Sequence, residues 1–247
     1  MFFSPLAQFD IVQILPLRLF NIFDVSLSNG TLSMLSVIFI YLFFFSFFNE
    51  ELNFVPTYWQ LIWERIFMFV YKLVVDQIGY KGLQFFPYLM VVFLFILNMN
   101  LLSMLPYSFA MTTHVVFTLV FTISLLLGLL FLGFFTHGMK FMNLFIPDVP
   151  KALLVLMIPL EILSYLIRSF SLGIRLSANL LAGHTLLHIL ADMSQSISVF
   201  NLDISIFCLL LLSGIMVMEL GVSCLQAYIF TLLVSIYIND VYNLSGH

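Results

Sequence analysis

From Gly82 to Met139 the chain carries no Asp, Glu, Lys or Arg, and from Val25 to Asn49 it again carries none. A helix rising 1.5 Å per residue needs about 20 apolar residues to cross a hydrocarbon core of about 30 Å. The shorter stretch therefore has room for one crossing and the longer for two. Across the 247 residues, 63% are hydrophobic and only 8% formally charged, against about a quarter charged in a soluble domain. The expected fold is an all-α integral membrane protein, built as a single membrane domain over residues 1–247.

The same numbers exclude other classes. A net charge of −4, with no Lys/Arg cluster of the polybasic type, argues against nucleic acid as a partner. Cys208 and Cys224 sit in apolar runs without C-x-x-C spacing and read as small buried hydrophobes. No basic leader with a short apolar stretch and a small-residue cleavage site opens the chain, so no removable targeting segment is expected. Thirty phenylalanines fit an AT-rich organelle genome translated in place.

Residues 1–30 mix Pro5, Asp10, Pro16, Arg18 and Asp24 and read as a surface segment ending in a turn at Asn29-Gly30. A first span over 31–48 is closed by Glu50, Glu51 and Pro56. Over 57–80, Gln60, Glu64, Arg65, Lys72 and Asp76 fall in one half of a helical wheel and Ile62, Ile66, Phe69, Val70 and Leu73 in the other, which predicts an amphipathic helix lying in the interface. Trp59 and Trp63 suit headgroup depth, and the spacing of Lys72 and Asp76 allows an ion pair. A transmembrane hairpin over 85–135 turns at Pro106-Tyr107-Ser108 and Thr112-Thr113-His114. Arg65, Lys72, Lys81, Lys140 and Lys151 collect on one side, which the positive-inside rule assigns to matrix or cytoplasm. Two long segments remain, 152–191 and 204–239, parted by the polar stretch Asp192 to Asp203. Both exceed the bilayer, so they tilt; Pro159 and Gly173 are placed to kink the first.

Charges inside these long segments need a reason. Glu161, Arg168 and Arg175 recur at steps of seven and share one stripe, with Asn179 a turn further on. A charge at that depth costs a few kcal/mol even on the lenient insertion scale, so such groups face protein or a water-filled cavity and mark ion paths. For Glu161 and Arg168 the bland alternative is a structural ion pair, or an Arg168 that snorkels at the inner interface. Arg175 has no carboxylate between Leu172 and Ala191, so its counter-charge comes from elsewhere. Its guanidinium stays protonated and acts as a permanent gate, not a carrier. His184 and His188 lie four apart on another face, and Glu219 lies seven before Gln226. An imidazole near a carboxylate is a natural proton relay. Arg168, His188, Asp192 and Asp240 are secondary candidates for the same path, while His114, His137 and His188 also suit satisfied core positions. No metal-ligand or haem-ligand spacing, nucleophile or phosphate loop is present, so neither cofactor nor bond-making catalysis is expected.

The run Ser171-Leu172-Gly173-Ile174-Arg175-Leu176-Ser177-Ala178-Asn179-Leu180-Leu181-Ala182-Gly183-His184 closely resembles the signature of subunit a of F-type ATP synthases. Glu219, the run Leu225-Gln226-Ala227-Tyr228-Ile229-Phe230 and Glu161 follow that family's order and spacing, and Ser4-Pro5-Leu6 with Gln8-Phe9 is similar to mitochondrial members. The resemblance implies a non-catalytic stator subunit whose two tilted helices wrap a rotating ring of c subunits, among other stator subunits and membrane lipid. It implies two aqueous half-channels opening on opposite faces. Arg175 then faces the ring's carboxylate, Asn179 and Gln226 flank it, His184 and Glu219 relay protons on the intermembrane side, and Glu161 belongs to the exit toward the matrix. His at 184 with Glu at 219 resembles the mitochondrial arrangement and points to the inner mitochondrial membrane. The competing readings are a self-contained proton-coupled secondary transporter, which would work without partners, and a haem or respiratory-complex scaffold, which would need axial ligands.

Overall fold

The computed structural model describes residues 9–16, 18–19, 23–24, 26–48, 57–105, 108–138, 141, 151–198 and 202–242. The expected closing residues Glu50, Glu51 and Pro56, the turn residues Pro106 and Tyr107, and Lys140 lie outside them. Six α-helices account for most of the described chain: α1 (Asn29–Phe48), α2 (Tyr58–Ile78), α3 (Phe86–Ser103), α4 (Val115–His137), α5 (Lys151–Ser198) and α6 (Leu202–Tyr242). Short 3₁₀ turns at Tyr80–Phe85 and Met111–Thr113 precede α3 and α4. Among the described residues, four helical stretches are long and apolar enough to cross a membrane: Gly82–Ser103, Val115–His137, Leu156–Ser196 and Ile206–Tyr242. The chain is an all-α integral membrane protein.

The described N-terminal residues are largely at the surface, as expected, but do not end in the expected turn. Strands β1 (Gln13–Leu15) and β4 (Leu27–Ser28) pair antiparallel, and β2 (Arg18–Leu19) pairs antiparallel with β3 (Phe23–Asp24), giving a short ribbon. No turn forms at Asn29-Gly30; those residues open α1 instead. The reason is local hydrogen bonding. Asn29 accepts from the Val12 backbone N–H at 2.8 Å and donates to the Asp10 carbonyl at 3.3 Å, while Ser28 and Thr31 cap each other's N–H groups at 2.9 and 3.4 Å. One orphan donor of the first turn, the Thr31 N–H, is thereby satisfied, and the helix starts there.

Helix α2 begins where Thr57 Oγ1 accepts from the Gln60 N–H at 3.4 Å and ends at Gly79, whose φ of +82° suits a residue without a Cβ. Val70, Leu73, Val74 and Ile78 are buried on one face, and Glu64, Arg65, Lys72 and Asp76 are all exposed. The ion pair that the Lys72 and Asp76 spacing allows does not form among the described residues. An exposed pair of this kind gains little against its side-chain entropy.

Helices α5 and α6 are longer than the expected 152–191 and 204–239. At 48 and 41 residues they measure about 70 and 60 Å, well beyond a hydrocarbon core. Pro159 lies inside α5 without ending it. The polar stretch after Ala191 continues the helix to Ser198, because Asp192, Gln195 and Ser196 fall at exposed positions and Ser194 and Ser196 donate to the carbonyls of Ala191 and Met193 at 2.8 and 2.9 Å.

Two compact units divide the chain. One comprises residues 1–54, 95–115 and 176–226, the other residues 55–94, 116–175 and 227–247. The boundary cuts through α3, α5 and α6, so each of these helices serves both units. The first unit buries Val37, Ile96, Met99, Leu176 and Leu180 together with the polar Asn100, Ser103, Ser223 and Glu219. In the second, Val70, Val74, Leu89, Leu129, Phe230 and Ile238 form an apolar core, with Phe121 and Phe230 rings 5.8 Å apart.

Candidate functional site

In the first unit α5 and α6 are brought so close at Gly183 that a Cβ there would lie 2.5 Å from Glu219 Oε1. The missing side chain is what lets the Glu219 carboxylate rest against α5. One residue on, His184 places Nε2 3.8 Å from the same oxygen. That is an ion-pair distance, longer than a hydrogen bond. Glu219 is only 4% exposed, and neither of its oxygens has a hydrogen-bond partner among the described residues. A buried carboxylate without donors is costly as a bare charge; the imidazole is the base within reach.

Helix α3 supplies neighbours that the sequence reading did not assign. Ser103 Oγ lies 3.5 Å from His184 Nε2 and donates to the Asn100 carbonyl at 2.6 Å, and Asn100 Nδ2 donates to the Ser223 carbonyl of α6 at 3.3 Å. Asn100 and Ser103 are both buried. Their only sequence signal is that amide and hydroxyl groups interrupt an otherwise apolar span. Further along the same two helices, Asn179 Nδ2 donates to Gln226 Oε1 at 3.4 Å. The first unit thus pairs His184 with Glu219 and Asn179 with Gln226. His188 and Asp192 form a separate contact, 3.2 Å between Nδ1 and Oδ2 along α5, at its exposed side.

In the second unit the alternative of an ion pair between Glu161 and Arg168 is not realised among the described residues. Seven residues of helix separate them by about 10 Å along the axis, and Arg168 instead lies 4.0 Å from Asp240 Oδ2 of α6. Its guanidinium carbon is 5.4 Å from the centre of the Tyr237 ring, which meets Tyr165 edge-on at 5.1 Å. Glu161 and Arg175 are exposed, and neither forms an ion pair among the described residues. Gly173, two residues before Arg175, is the close-packing point on this side: a Cβ there would meet Thr122 Oγ1 at 2.8 Å and the Thr118 carbonyl at 3.2 Å. With α4 pressed against Gly173, the side chain of Arg175 is left on an open position of α5.

The remaining expectations divide. Ring centres of Phe109 and His114 lie 5.4 Å apart, and His114 and His137 are half-buried. Cys208 and Cys224 are free thiols of intermediate exposure, less buried than their apolar settings implied. No cluster of three metal-ligating side chains occurs among the described residues.

Residues 31–239, which hold every side chain of both clusters except Asp240, match the family described as ATP synthase A chain. The chain belongs to the ATP synthase subunit a family. It is 42% identical over 248 residues to ATP synthase subunit a of Acanthamoeba castellanii, covering 99% of this chain and 100% of that one. With ATP synthase subunit a of Chondrus crispus it shares 41% identity over 248 residues, 96% of this chain and 95% of the relative. ATP synthase subunit a-2 of Arabidopsis thaliana is 41% identical over 258 residues, covering 98% of this chain and 72% of that longer protein. Membership of the subunit a family agrees with the resemblance carried by the run around Arg175.

Proposed function

We propose that this chain is the proton-translocating stator subunit of a rotary F-type ATP synthase, without a catalytic site of its own. It assembles with a ring of c subunits, further stator subunits and lipid. Its setting is the inner mitochondrial membrane, and its gene belongs to the organelle, a reading that follows the His184 and Glu219 order and the phenylalanine-rich composition.

One observation carries this reading: Arg175 is exposed on a membrane-crossing helix and has no ion partner among the described residues. A guanidinium left bare at that depth is expensive, and this reading assigns its neutralising group to another polypeptide. A carboxylate on a moving ring is such a group. The fixed cation attracts each deprotonated carboxylate and repels protons, so it blocks a direct proton wire between two half-channels. Protons then cross only by riding the ring, and flux becomes rotation.

The other side chains support the two half-channels. On the intermembrane side, His184 and Glu219 are an acid and a base 3.8 Å apart with Ser103 beside them. Asn179 and Gln226, hydrogen-bonded to each other, supply polar groups without adding charge. Glu161, exposed fourteen residues before Arg175, serves the exit toward the matrix.

The decisive experiment is Arg175→Ala, followed by proton-driven ATP synthesis in inner-membrane vesicles with complex assembly checked on native gels. Synthesis falls to background while the complex assembles. Normal synthesis in that variant would refute the assignment. Reconstituting the purified chain without a ring gives no coupled transport, whereas a self-contained transporter would show it.

A further inference from the structure

Two permanent cations lie on the same stripe of α5. Arg168 and Arg175 are seven residues apart, about two turns, and both are exposed. A guanidinium cannot be switched off by deprotonation. A carboxylate travelling past that stripe would therefore meet two attractive charges, although coupling requires one.

Their surroundings resolve the conflict. Arg168 has Asp240 Oδ2 at 4.0 Å and the face of Tyr237 at 5.4 Å. Tyr237 is 3% exposed and is held edge-on by Tyr165, itself buried, so the face that receives the guanidinium is fixed. Arg175 has neither kind of partner among the described residues. Both Arg168 and Asp240 remain about two-fifths exposed, so their pairing adds little to stability. Its consequence is electrostatic: a charge with an opposite charge beside it acts at a distance as a dipole, and its pull decays faster than that of a lone charge.

We propose that Asp240 and Tyr237 form a clamp that neutralises Arg168, leaving Arg175 as the single uncompensated cation presented to the rotor's carboxylates. The inference rests on the reading that this stripe of α5 faces a moving carboxylate. Asp240 is then a positioning residue that acts through Arg168 and need not carry a proton itself.

The test is a double-mutant cycle in the assembled complex, reading proton-driven ATP synthesis and ATP-driven acidification. Asp240→Asn frees the Arg168 charge and lowers both rates about tenfold; adding Arg168→Gln brings them back to within about twofold of Arg168→Gln alone, because no second cation is left to neutralise. Adding Arg168→Lys restores nothing, since the charge stays. Equal losses from Asp240→Asn in the wild-type and Arg168→Gln backgrounds, or no loss in either, overturn the clamp. If Asp240→Asn prevents assembly, Tyr237→Leu takes its place, with the same suppression expected and the same failure decisive. Arg175→Ala run in parallel separates the two readings: synthesis retained there overturns the stator function, whereas synthesis lost there with an additive Asp240 and Arg168 cycle overturns only the clamp.

Discussion

In the unit that contains residues 176–226, the His184 and Glu219 pair is largely buried and sparsely satisfied. Glu219 is 4% exposed, its carboxylate oxygens accept no hydrogen bond among the described residues, and a single imidazole stands 3.8 Å away. In the unit that contains residues 116–175 and 227–247, Glu161, Arg168 and Arg175 on α5 are exposed, and one of these two arginines has a carboxylate and an aromatic face beside it. The contrast separates two tasks. A group that must gain and lose a proton suits a site where no dense shell of donors locks one form. A group that must hold its charge suits an arginine, whatever its exposure, and what matters then is which other charges stand near it.

The largest effect that tests this division, after loss of Arg175, is expected at Glu219. Glu219→Gln keeps shape and burial but cannot exchange a proton, and ATP-driven acidification of vesicles slows by about tenfold or more. An unchanged rate removes Glu219 from the path and with it the contrast between the units. A smaller effect is expected one residue before His184. Gly183→Ala inserts a methyl group where 2.5 Å separates the Cβ position from Glu219 Oε1, so the carboxylate must move. Acidification should fall roughly threefold with assembly intact, since overpacking shifts side chains before it unfolds a core. A wild-type rate in that variant would mean that the position of the carboxylate does not matter. The smallest effect belongs to a purely structural contact. Asn100→Ala removes the hydrogen bond to the Ser223 carbonyl and costs about 1 kcal/mol of stability, visible as a lower melting temperature of the solubilised complex, while proton pumping stays within about twofold. A loss of pumping as severe as that of Glu219→Gln would move Asn100 from scaffold to path.

Much of this was legible in the chain before any coordinates. The charge-free runs require membrane helices, and steps of seven put Glu161, Arg168 and Arg175 on one stripe whatever packs against it. The absence of a carboxylate between Leu172 and Ala191 excludes a local partner for Arg175. Other features were out of reach for physical reasons. Arg168 has acidic residues on both long segments within its nominal reach by composition, and only the packing of α6 on α5 selects Asp240 over Glu161. The polar stretch Asp192 to Asp203 does part the two long helices, but α5 runs into it as far as Ser198 because polar residues on an exposed helical face do not stop a helix. The N-terminal ribbon failed to show because strands of two or three residues have no periodicity to read.

The amino-acid sequence by itself determined the solvent and which charged residues the long apolar segments carry, because charge and hydropathy are properties of each side chain that no neighbour removes. Only the tertiary structure decided the pairings: Ser103 beside His184, Glu219 seated against Gly183, Asp240 and Tyr237 on Arg168. Those depend on which faces of separate helices meet, and in an apolar medium helices rich in Leu and Phe all round carry no hydrophobic stripe from which that choice could be read.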